Sequence, residues 1–233
     1  MNLPAKHLKN VLQRIELATK QTNRSTDEIR LIAVSKTKPA EDVEQAYLSG
    51  QRDFAENYLQ EAVDKIASLK HLAGIKWHFI GSIQSNKTRP IAENFDWVHS
   101  VDRLKIAKRL SEQRTDEQKP LNICLQVNIS NEENKAGISI EQVPELAQQV
   151  SELKHIKLRG LMAIPLKTND ESQQHFYFKQ LKDCLDRLNQ QGYDLDTLSM
   201  GMSNDMEVAI AEGATMIRIG TAIFGERQNK LKK

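Results

Sequence analysis

The feature that most constrains this chain is a regular alternation. Short apolar runs, many of them closed by glycine or a turn, recur from end to end with amphipathic stretches between them. Strand-like runs fall at 31–36, 53–57, 76–81, 96–101, 121–128, 158–164, 197–200 and 216–219. Helical spacing falls at 41–50, 58–72, 103–114, 140–153, 172–191 and 203–213, with a short helix inside 85–94 and another before the first strand. Asp102 is the expected cap of the helix at 103, and Ser203 or Asn204 that of the helix at 203. Eight strands alternating with helices over 233 residues predict one (β/α)8 TIM barrel, a single α/β domain spanning 1–233. A doubly wound open sheet competes, because the second and fourth runs are short. Within 121–128, Ile123, Leu125 and Val127 share one parity and Cys124, Gln126 and Asn128 the other. In a barrel the first set meets the helices and the second lines the interior.

Composition excludes several classes. There are 33 basic and 31 acidic residues, a formal net charge of +2, which argues against a dedicated nucleic-acid binder. No run approaches a membrane span or a secretory h-region. Leu8, Val11, Leu12 and Ile15 have helical spacing, and Glu16 breaks any resemblance to a presequence; a first helix covering the bottom of the fold is expected. Cys124 and Cys184 lie far apart in apolar periodic segments, without metal-ligand spacing, and read as buried reduced thiols of a cytoplasmic protein with no metal.

Chemistry concentrates at strand ends. Leu31-Ile32-Ala33-Val34-Ser35-Lys36 ends on a cation before Pro39. Such a lysine can simply reach water. At a barrel mouth, against apolar walls, its ammonium loses solvation and the neutral amine becomes a nucleophile. Ser199-Met200-Gly201-Met202-Ser203 and Arg218-Ile219-Gly220-Thr221 end the seventh and eighth strands, where barrels of this class hold phosphate. Gly201 and Gly220 allow close backbone approach, and Ser203 and Thr221 add hydroxyls. Each is an ordinary turn if taken alone. Together with Lys36 they describe an anion anchor beside an amine, which suits pyridoxal 5′-phosphate (PLP), whose aldehyde forms a Schiff base with lysine. Arg218 shares the parity of Gly220 and faces inward. Its partner is either a pyridine nitrogen, which a guanidinium would keep unprotonated, or a carboxylate such as Glu56 or Asp205. Lys38 follows Lys36 by two residues; it is a second amine near the site or a solvated turn lysine. Lys230, Lys232 and Lys233 form a basic tail that frays or offers a weak phosphate site.

Several motifs in order carry a family resemblance. They are Ala33-Val34-Ser35-Lys36-Thr37-Lys38-Pro39, Glu56-Asn57-Tyr58, Trp77-His78-Phe79-Ile80-Gly81, Gln84-Ser85-Asn86-Lys87 and Gly160-Leu161-Met162. Ser199-Met200-Gly201-Met202-Ser203-Asn204-Asp205-Met206 and Arg218-Ile219-Gly220-Thr221 complete the set. The chain resembles the pyridoxal phosphate homeostasis protein family, relatives of the alanine racemase N-terminal barrel (PLP fold type III) that lack its C-terminal β-domain. The resemblance implies Lys36 as the Schiff-base lysine and Arg218 as the partner of the pyridine nitrogen. It implies Ser203, Gly220 and Thr221 at the phosphate, with Ser199 and Gly201 in the same loop, and Asn57, His78 and Met162 around the ring. Gly81-Ser82-Ile83-Gln84 departs from the family's usual Gly-Pro/His-Leu-Gln, a loop change. Racemases of this superfamily take a second base from the extra domain, and racemisation needs groups on both faces of the α-carbon. The expected role is therefore intracellular vitamin B6 homeostasis: carrying PLP, with little or no turnover, as a monomer, with apo PLP-dependent enzymes as acceptors. A PLP-dependent amino-acid racemase, with His78 the conceivable second base, is the alternative.

Overall fold

The computed structural model describes residues 3–226 apart from Asn134. The basic tail at 230–233 lies outside the described residues. Eight parallel strands close a barrel in sequential order. They are β1 (Arg30–Val34), β2 (Asp53–Glu56), β3 (Lys76–Phe79), β4 (Trp97–Val101), β5 (Leu121–Val127), β6 (Ile156–Ala163), β7 (Thr197–Ser199) and β8 (Met216–Ile219). Closure rests on the pairing of β1 with β8 as well as β2, so the open doubly wound sheet is excluded. The helices are α1 (Leu3–Gln21), α2 (Ala40–Leu48), α3 (Leu59–Ser68), α4 (Thr88–Asn94), α5 (Leu104–Gln113), α6 (Val143–Ser151), α7 (Glu171–Gln190), α8 (Met206–Ala211) and α9 (Thr221–Phe224).

Two hydrophobic bodies follow from strand alternation. Outward residues such as Ile123, Leu125 and Val127 join the large core between sheet and helices. Inward residues Ile32, Ala55, Trp97, Cys124, Met162 and Met216 fill the barrel. Cys124 thus has the predicted interior parity, and both cysteines are buried free thiols. Burial pushes the Cys124 thiol up to about 12. Beta-6 starts two residues earlier than the apolar run suggests and carries a register shift at Arg159. Gly160 lets it pass close to β7, since a Cβ there would lie 1.8 Å from the Thr197 carbonyl oxygen.

Three local expectations are corrected. Alpha-1 does not cover the barrel bottom. It packs against α2, α8 and α9 in the outer layer, burying Leu8, Val11, Ile15 and Ala18. The reason is that β8 is followed by only the single turn of α9, which leaves a gap beside β1 for α1 to fill. Asp102 does not cap α5; its carboxylate pairs with Arg103 at 2.7 Å instead. Neither Ser203 nor Asn204 caps α8, which begins at Met206. The Asp205 carboxylate takes the Met202 amide at 2.5 Å, and that local turn holds Ser203 outside the helix.

Candidate active site at the barrel mouth

A cavity of about 690 Å³ opens at the C-terminal ends of the strands. Lys36, Asn57, Ser203, Arg218, Gly220 and Thr221 all line it. Lys36 lies two residues beyond β1, in a turn, not on the strand itself. Its backbone is pinned on both sides. The Lys65 ammonium donates to the Ser35 carbonyl at 2.9 Å, the Ser35 hydroxyl donates to Glu56 at 2.7 Å, and the Thr37 amide donates to Glu61 at 2.6 Å. Lys65 also binds Glu56 at 2.5 Å and Glu61 at 3.0 Å, so one buried ion cluster outside the barrel fixes the segment carrying Lys36. Thr37 is left-handed, with φ 63°, a conformation a β-branched residue adopts only when its surroundings impose it.

Arg218 is almost fully buried. Its Nη1 donates to the Ser199 hydroxyl at 2.7 Å and its Nη2 to the Ala163 carbonyl at 2.9 Å. Burial lowers this guanidinium to about 10, with Asp205 opposing the shift, so it stays charged at neutral pH. Glu56 is not its partner, being committed to Lys65 and Ser35. Gly201 adopts φ 92° and its carbonyl accepts the Arg218 amide, which ties the loop after β7 to β8. The first amides of α9 have no partner within that helix, by the geometry of any helix start. Asn57 presents a buried side-chain oxygen, Oδ1, with no hydrogen-bond partner, an orphan that suits a ligand atom.

His78, Met162, Ser199 and Gly201 are not in the cavity wall. Met162 and His78 are fully buried beneath it. His78 lies between Asp53 (3.0 Å) and His99 (2.9 Å). Lys38 donates to the Phe224 and Glu226 carbonyls at 2.9 and 2.8 Å, closing the end of α9. Arg14 of α1 was not legible as a site residue. It lines the cavity, binds the Ser203 carbonyl at 3.0 Å and is held by Glu207. His99 could have been found from its parity with inward Trp97.

Burial holds His78 below its ordinary range and His99 well below it. The unfolded chain takes up a proton on each near pH 6.5, whereas the folded chain does so only at lower pH. Stability is therefore level above about pH 6.5 and falls below it, by at most about 1.4 kcal/mol per pH unit for each imidazole. Urea unfolding from about pH 7.5 to about pH 5 should show this slope, reduced in His99→Asn. Equal slopes in the two proteins would contradict it.

The alanine racemase N-terminal domain family model matches residues 7–228. A pyridoxal phosphate homeostasis protein of Pseudomonas aeruginosa is 56% identical over 227 residues, covering 97% of each chain. The chain belongs to the pyridoxal phosphate homeostasis protein family. The family member from Escherichia coli K12 is 50% identical with both chains fully covered. Among solved structures, PipY of Synechococcus elongatus with PLP bound is 39% identical, with a TM-score of 0.79, covering 91% of this chain and 99% of that one. Among the described residues no helix is long and apolar enough to cross a membrane.

Proposed function

We propose that this protein holds PLP at the barrel mouth on Lys36 and hands it on, with little or no turnover of its own. The observation that carries the reading is the convergence of Lys36, Arg218, the Ser203 and Gly220–Thr221 loops and the orphaned Asn57 oxygen on one cavity. The P. aeruginosa and E. coli relatives named for PLP homeostasis, and the PLP-bound PipY structure, support the ligand's identity. PLP supplies an aldehyde that condenses with a primary amine, and a phosphate that needs anion donors. In this assignment Lys36 is the amine. Ser203, Gly220 and Thr221 supply hydroxyls and amides to the phosphate, and Arg14 braces the Ser203 turn. Arg218 faces the pyridine nitrogen as a permanent donor, and Asn57 contacts the ring. Met162, His78, Ser199 and Gly201 support these groups from beneath.

The racemase alternative needs a proton-transfer group on each face of the substrate. His78, the strand histidine considered for that task, is enclosed by Asp53 and His99 away from the cavity. The protein we describe acts as a cytoplasmic monomer that delivers PLP to apo-enzymes. Purified protein incubated with PLP should show a visible band that borohydride bleaches, with a pyridoxyl group on Lys36 by mass spectrometry. The loaded protein should activate an apo PLP-enzyme and should not racemise alanine. Absence of the band in excess PLP, or sustained racemisation, would overturn the reading.

A further inference from the structure

A line of five polar side chains runs through the barrel from mouth to floor. The Arg218 guanidinium reaches Ser199 Oγ at 2.7 Å, and Ser199 Oγ lies 2.8 Å from His99 Nδ1. His99 Nε2 is 2.9 Å from His78 Nδ1, and His78 Nε2 is 3.0 Å from Asp53 Oδ1. Ser199, His99 and His78 are fully buried. Asp53 borders a separate floor cavity with Arg30, Lys76, Asp96 and Trp97. Ile32, Ala55, Trp97, Cys124, Met162 and Met216 are packed in the same barrel interior, and Arg218, Ser199, His99 and His78 were taken out of water against a desolvation cost.

The two ends leave one proton arrangement for the whole line. An ionised carboxylate only accepts, so His78 carries its proton on Nε2 and donates to Asp53. A neutral His78 then accepts at Nδ1, which places the His99 proton on Nε2. His99 in turn accepts at Nδ1, so the Ser199 hydroxyl donates to it. Arginine only donates, and it donates to Ser199. Every bond points from Arg218 toward Asp53. Burial of both imidazoles keeps them in this neutral form.

We infer that Ser199, His99 and His78 are positioning residues that hold Arg218 and couple the floor carboxylate Asp53 to the ring-binding end of the mouth cavity. The coupling rests on the PLP reading; the proton order does not. Arg30 and Asp96 add their charges at the Asp53 end, and Asp205 adds its charge at the Arg218 end, where the Cys124 thiol is neutral. A merely well-satisfied polar core would keep the protein folded without moving the electronic state of a ligand at the mouth. The relay predicts that it does. Removing the acceptor at Asp53 frees His78 to reverse its tautomer, and the reversal then passes to Ser199.

Nitrogen-15 NMR of histidine-labelled, ligand-free protein should show both His78 and His99 protonated on Nε2. In the PLP-loaded protein, Asp53→Leu and Ser199→Ala should each move the pH midpoint of the visible band by about one unit, the scale of one hydrogen bond to a charged group. Ser199→Thr, which keeps the hydroxyl, should return it to the wild-type value. An Nδ1 proton on either imidazole overturns the relay, and unshifted midpoints in both folded variants overturn the coupling. If wild-type protein develops no band with PLP, the cofactor reading falls and takes the coupling with it, while the tautomers still decide whether the relay exists.

Discussion

Replacing Lys36 with alanine should give a folded barrel that no longer keeps PLP through dialysis. Lys36 lies half-buried in a turn past the end of β1 and belongs to neither hydrophobic body, so the core that holds the barrel together stays intact. What disappears is the only covalent link in the proposed site. The anion loops and Arg218 remain, so weak reversible binding should persist. Affinity should fall by about 100-fold or more, which corresponds to about 2.8 kcal/mol. Equilibrium dialysis and absorbance read the loss, and a thermal melt checks the fold. A borohydride-fixed band of full intensity in Lys36→Ala would move the attachment to another amine. Lys38 is poorly placed to take it over, because its ammonium is bound to the carbonyls of Phe224 and Glu226.

Lys65→Ala should be the more damaging change to the fold. The side chains of Lys65 and Glu56 are 4% and 0% exposed, and one Glu56 oxygen, Oε2, already lacks a partner. Burial pushes the Glu56 carboxyl up against the opposing pull of Lys65. Removing the ammonium leaves a buried carboxylate without its counter-ion, which costs about 3–5 kcal/mol. For a chain of this length that is a fall in Tm of about 6–20 °C. It also frees the Ser35 carbonyl, so the turn holding Lys36 should loosen and PLP affinity should drop with it. The double substitution Glu56→Leu with Lys65→Met should recover most of the stability but not the positioning, because it replaces the ion pair with apolar volume. A loss within about 1 kcal/mol for Lys65→Ala would mean the pair behaves like one at the surface.

These two lysines mark what a linear reading could and could not reach. The strand pattern, the interior parity of Cys124 and the mouth position of Lys36 follow from period and order along the chain. Lys65 sits on a helix whose apolar face at Leu59, Val63, Ile66 and Leu69 suggested an ordinary amphipathic segment. Its burial is decided by Glu56 on the neighbouring strand, a contact that helical spacing does not encode. The helix starts at Asp102 and Ser203 misled for a related reason. Short carboxylates bind whichever donor the local turn brings, and here those were Arg103 and the Met202 amide. Alpha-1 was misplaced because the gap it fills exists only once β8 has met β1.

That last placement bears on when the site comes into being. Arg14 braces the Ser203 turn across 189 positions of chain, Arg24 binds the carbonyls of Ile210 and Ala214, and His7 lies 3.1 Å from that of Ile223. The first helix and the turn after it are thus stitched to α8, α9 and the loops beside them. Residues 189 positions apart must meet before the Ser203 turn has its brace, and closing so long a loop carries an entropy cost that local contacts escape. That corner of the cavity is completed only when the two segments dock, and neither can build it alone.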